Sequence, residues 1–143
     1  MTLHDLARRM AAAALAAADP ERLVHAAVAA RPERWAGALA LGKAAPAMAR
    51  GAHGASRALG PAGPARRLLV RTHSTPATPG LLDPAWEELS GGHPLSDRAS
   101  LDAGQRVLRW LGELPPGAPL LAMVSGGSSA CVEALADEIT LED

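Results

Sequence analysis

Two short stretches combine residue types that could handle a phosphoryl group with positions where an apolar run gives way to a helical pattern. The first is Gly42-Lys43-Ala44-Ala45. Glycine lets the backbone bend tightly there, and Lys43 adds a mobile positive charge beside a helix start. Such a charge suits a group whose oxygens must be neutralised during transfer. The second is Ser125-Gly126-Gly127-Ser128-Ser129. Its two glycines can aim successive backbone N–H groups at an anion, and its serines can add hydroxyl donors. A third candidate is His93 in Gly-Gly-His-Pro, four residues before Asp97. A loop histidine can donate to a carboxylate or bind phosphate, while Asp97 reads more simply as a helix cap.

Other patterns carry less. Gly37 to Lys43 has the glycine separation of a Walker A loop, but Ala44 replaces the hydroxyl that would hold magnesium, and residues 38–41 are too apolar for a phosphate loop. His4, His25, His53 and His73 show no metal-ligand spacing, and no metal site is expected within this chain. Cys131, the only cysteine, reads as a small apolar packing residue.

The elements that must position these groups follow from periodicity. Leu3, Leu6, Met10, Ala14 and Ala17 recur at helical spacing over residues 3–18. Asp19 can cap a second helix with Pro20 in its first turn and Leu23, Val24 and Val28 on its apolar face. An apolar run over 35–41 leads into a helix over 44–59, and a loop over 60–64 precedes a strand over 67–72. Residues 73–82 must be irregular, and a short strand is expected over 85–89. After a turn at residues 91–94, Ser96 or Asp97 caps a helix carrying Leu101, Val107, Leu108 and Leu111 on one side. Residues 120–124 read as the clearest buried strand, turning directly into a further helix. Thr140 with two acidic residues after it reads as the opening of another helix, so the chain is expected to continue a truncated fold. This alternation implies an α/β fold, a parallel sheet with helices on its faces.

Composition sets the remaining bounds. At 143 residues the chain is one domain's worth, and with no Phe or Tyr its core must rest on Leu, Val, Met, Ala and the three tryptophans. Fourteen basic against 15 acidic side chains give no electrostatic footprint for nucleic acid or anionic lipid. No run is long enough to span a membrane. Arg8-Arg9 before an alanine-rich stretch imitates a signal peptide, but alanine is weakly apolar and Asp5 sits in the would-be leader. A cytoplasmic location is the expectation.

Four stretches in order resemble the glycerate 2-kinase family whose members carry a carboxy-terminal MOFRL domain. They are Leu41-Gly42-Lys43-Ala44-Ala45-Pro46-Ala47-Met48-Ala49, Gly92-His93-Pro94-Leu95-Ser96-Asp97, Val124-Ser125-Gly126-Gly127-Ser128-Ser129-Ala130 and Ile139-Thr140-Leu141-Glu142-Asp143. Asp19-Pro20 to Val24 also resembles the family's second helix, so the resemblance covers essentially the whole chain. It implies a three-layer Rossmann-like αβα sheet, here incomplete, with residues 1–32 a helical lead-in and 33–143 the αβ core. It also implies ATP-dependent phosphorylation of the 2-hydroxyl of D-glycerate with a divalent metal such as Mg2+. The family's active-site lysine falls on Lys43, and its glycine-rich turn on Ser125 to Ala130.

Two departures stand out. Ser128 occupies a place where the family has a third glycine, adding a side chain where backbone would approach phosphate. The family's downstream acidic residue, its arginine and the MOFRL domain lie outside these residues. The chain alone is therefore expected to be inactive. Two alternatives stay open: a non-catalytic anion-binding or interaction module, and a kinase for a related sugar acid. The partners expected are small molecules, with a homodimer an option.

Overall fold

A computed structural model of the chain describes residues 1–31, 33–58, 64–77 and 86–142. Helix α1 (Leu3–Ala17) starts at a reciprocal cap in which the Thr2 hydroxyl accepts from the Asp5 N–H and the Asp5 carboxylate accepts from the Thr2 N–H. None of α1 is buried. Asp19 caps α2 (Pro20–Ala29) through the Arg22 N–H, with Pro20 in the first turn, where its missing donor costs least. There follow β1 (Gly37–Leu41), α3 (Ala45–Ala58), β2 (Arg66–Thr72), β3 (Trp86–Gly91), α4 (Arg98–Gly112), β4 (Leu120–Val124) and the single turn α5 (Ser128–Cys131).

The strands form one parallel sheet in the order β3-β2-β1-β4, with Leu39 opposite Leu68 and Ala122. The expected α/β fold, with two helices ahead of the sheet, is what forms. Side chains alternate across the pleat, and each face has its own core. Ala38, Ala40 and Leu69 meet α2 and α3 through Val28, Met48, Ala49 and Ala52. Leu39, Leu68 and Val70 meet α4 and α5 through Ala103, Val107, Trp110 and Cys131. Alanine on both sheet and helix lets α3 lie close to the first face, which explains how a chain without Phe or Tyr still closes its core.

Several expectations need correction. Residues 120–124 do form a strand, but it lies at the sheet edge. Only Met123 is buried, and Val124 is 65% exposed. The buried strands are β1 and β2, whose Leu68, Leu69 and Val70 are fully covered. Leu108 is 58% exposed, because α4 buries the stripe Ser100, Ala103, Gly104, Val107 and Trp110 instead. Leu23 likewise faces outward while Val28 packs. Strand β3 runs on to Gly91, so the turn begins one residue later than expected. Residues 139–142 are turn and irregular backbone and open no helix. The expected ends of the helix at Leu59 and of the loops over 60–63 and 78–82, with Pro32 and Ala85, lie outside the described residues.

Candidate functional site

Strand β1 has β2 on one side and β4 on the other, so successive strands depart from it in opposite directions. In an open parallel sheet such a reversal leaves a crevice beyond the carboxyl ends of the two strands involved. Gly42-Lys43 leaves β1 at that point, and Ser125 to Ser129 leaves β4 beside it.

The two exits are fastened to each other. The Ser125 N–H and hydroxyl both donate to the Leu41 carbonyl at 2.9 Å, and the same hydroxyl accepts from the Ala44 N–H at 3.0 Å. The Lys43 N–H donates to the Gly126 carbonyl at 2.9 Å. Gly42 has φ 99°, and a Cβ there would stand 2.6 Å from the Ser125 carbonyl oxygen and 2.8 Å from that of Gly126. Only glycine fits this bend without displacing backbone. The first amides of α3 are thus engaged within the protein, since the Ala45 N–H also bonds the Gly42 carbonyl.

Unengaged donors lie on the β4 side. Among the described residues the backbone N–H groups of Gly126, Gly127, Ser129 and Ala130 have no acceptor, and the hydroxyls of Ser128 and Ser129 make no hydrogen bond. Gly127 has φ 86°, and a Cβ there would lie 2.9 Å from His93 Cδ2, 3.1 Å from Thr72 Cγ2 and 3.3 Å from Lys43 Cγ. The lysine stem, the serine–glycine bend and His93 therefore converge on one spot. Lys43 is exposed, and its ammonium makes no ion pair among the described residues. The stem of an exposed lysine thus lies beside a row of free amides.

Asp97 has two roles. One oxygen accepts from the Ser100 N–H at 2.9 Å, the Ser100 hydroxyl at 3.1 Å and the Gly92 N–H at 3.2 Å, which caps α4. The other lies 2.9 Å from Nε2 of His73. The Ser100 N–H chiefly, against some opposing desolvation and with His73, the Ser100 hydroxyl and the Gly92 N–H adding to it, holds this carboxyl down to about 2. The histidine that meets Asp97 is thus His73, not His93.

Sequence reasoning passed over the end of β2. Thr72 is fully buried, and its hydroxyl bonds those of Thr75 at 2.9 Å and Ser74 at 3.1 Å. The Thr75 hydroxyl donates to the Lys43 carbonyl at 3.3 Å, tying this loop to the lysine. Only the adjacency of β1 and β2 reveals that link, and no local spacing signals it. Cys131 is buried beneath the site, and burial pushes its thiol up, consistent with packing. No three His, Cys, Asp or Glu side chains gather to hold a metal among the described residues. No helix among them is long and apolar enough to cross a membrane.

A family model described as a domain of unknown function, DUF4147, matches residues 6–143. The chain belongs to the DUF4147 family. No curated protein and no solved structure matches it. The match spans both exits of the crevice, so Lys43, His93, Asp97 and the Ser125–Ser129 bend are all part of the DUF4147 domain.

Proposed function

We propose that this DUF4147 domain supplies the phosphate-handling wall of an ATP-dependent glycerate 2-kinase, which makes 2-phosphoglycerate from D-glycerate. DUF4147 is found at the amino terminus of MOFRL-type glycerate kinases, which supports that assignment. The observation that carries it is the convergence on Gly127, where a Cβ would lie 3.3 Å from the Lys43 stem and 2.9 Å from His93.

In this reading Lys43 neutralises the phosphoryl oxygens, and the free N–H groups of Gly126, Gly127 and Ser129 bind them. Ser128 and Ser129 add hydroxyl donors, and His93 borders the pocket. Gly42 and Ser125 act differently: they fix the bend from which Lys43 projects, since the Ser125 hydroxyl is spent on Leu41 and Ala44. ATP phosphates suit this donor set. Magnesium has no cluster of acidic ligands here among the described residues.

Amide-resolved NMR tests the reading. Inorganic phosphate, and ATP with magnesium, should shift the amide resonances of Gly126, Gly127 and Ser129 saturably. Lys43→Ala should weaken that binding about tenfold or more, the loss expected for one charge-assisted contact. Shifts confined to other parts of the chain, or an unchanged affinity in Lys43→Ala, would overturn it. With D-glycerate, magnesium and ATP, ADP release by the chain alone should not exceed that of Lys43→Ala.

A further inference from the structure

His73 and Asp97 form a pair apart from the groups that face the phosphate. Helix capping needs only one oxygen of Asp97, and Oδ1 supplies it to Ser100 and Gly92. The second oxygen is committed to His73 at 2.9 Å. An ionised carboxylate can only accept, so the ring proton must reside on Nε2. In the uncharged tautomer of that arrangement Nδ1 is an acceptor, and Nδ1 has no partner among the described residues. The ring is held, half exposed, with its basic nitrogen unused.

The location is as informative as the geometry. His73 follows Thr72, whose methyl would lie 3.1 Å from a Cβ on Gly127, and its own N–H is tied to the Gly91 carbonyl of β3. Thr75, two residues on, reaches the Lys43 carbonyl. The pair thus stands at the same rim as the lysine and the serine–glycine bend. A carboxylate that fixes the tautomer and orientation of an imidazole, leaving its other nitrogen free, is the arrangement that proton abstraction from a hydroxyl requires.

We propose that His73, positioned by Asp97, is the group that takes the proton from the acceptor hydroxyl, a role that rests on the kinase reading above. As the 2-hydroxyl oxygen bonds to the γ-phosphorus of ATP, its proton passes to Nδ1 of His73. The bond from that phosphorus to the β,γ-bridging oxygen breaks, and the electron pair leaves on ADP. Lys43 and the amides beside Gly127 hold the transferring oxygens, while Asp97 stabilises the imidazolium that forms.

Histidine modification in the full chain tests this without turnover. Diethyl pyrocarbonate attacks an unprotonated, unpaired ring nitrogen, and peptide mass spectrometry reads each histidine separately. Saturating D-glycerate should slow modification of His73 about fivefold or more, because a nitrogen bonded to the substrate hydroxyl is no longer free. The rates at exposed His4 and His25 should not change, and propionate, which lacks the hydroxyl, should protect nothing. Asp97→Asn keeps the α4 cap, since Asn caps as well as Asp, but its amide can donate to Nε2 and move the ring proton to Nδ1. That variant should keep its helical circular dichroism, and His73 should react slowly whether or not D-glycerate is present, because neither ring nitrogen is then both unprotonated and unpaired.

Unprotected His73 in the parent chain, or protection that survives Asp97→Asn, overturns the proposal. The NMR titration with phosphate separates the two levels. If phosphate still shifts Gly127 while His73 stays unprotected, only the proton acceptor is wrong. If neither responds, the kinase reading falls with it.

Discussion

Gly127 is the residue on which the site closes, and any side chain there is strained. Its left-handed conformation is costly for any side chain, and a methyl group would also press on His93 and Thr72. Gly127→Ala should destabilise the fold by about 1–2 kcal/mol, read by urea denaturation. The same variant should lose the phosphate-induced shifts at neighbouring amides. Asp97 gives a second residue-scale prediction. Its folded-state value, about 2, lies below the ordinary carboxylate range. A carboxyl depressed on folding contributes stability that is present above its unfolded value, near 3.9, and is lost as pH falls through the folded one. Acid titration of the parent chain should therefore show a loss of stability between about pH 4 and pH 2 that is diminished in Asp97→Ala.

At the scale of elements, α4 shows which face of a helix matters. Trp110 is 2% exposed against the sheet, while Leu108 is 58% exposed. Trp110→Ala should cost about 3–5 kcal/mol. Leu108→Lys should stay within about 0.5 kcal/mol of the parent, and thermal melts of the two would separate them. The same helix shows where sequence reading succeeds. Asp97, Pro20 and Asp19 announce helix starts because capping is local chemistry. The buried stripe of α4 was only partly legible because Ser100, Ala103 and Gly104 are small: Val107 packs as expected and Leu111 partly so, while Leu108 faces outward. Strand β4 was misread for a related reason: an apolar run looks alike whether it ends up central or at an edge. Lys43 and the Ser125–Ser129 bend could be found from strand-to-helix junctions. His73 could not, because its partner lies 24 residues away and meets it only through the pairing of β2 with β3.

For the molecule as a whole, α1 and the β4 edge are the unfinished parts of the surface. Helix α1 buries nothing, and its Leu3, Met10 and Leu15 are 85%, 65% and 75% exposed. Deleting residues 1–18 should leave stability within about 0.5 kcal/mol of the parent, since no core contact is lost. Equilibrium urea unfolding would show it, and a large loss would mean that α1 packs in solution. An open groove of about 830 Å³ runs between α2 and β4, lined by Val24, Val28, Trp35 and Met123. Among the described residues the sheet is well covered over β1 and β2 and open beside β4.

The hydroxyl that fixes the bend at the lysine belongs to Ser125, 81 positions beyond Ala44, whose N–H it accepts. During synthesis, Lys43 leaves the ribosome long before Ser125 exists to lock the bend from which it projects. The strands β1, β2 and β3 can pair first, but the anion pocket has no intermediate form. It comes into being in one late step, when the last strand docks, so a nascent chain stalled before residue 120 would carry every part of the sheet's centre and no binding site at all.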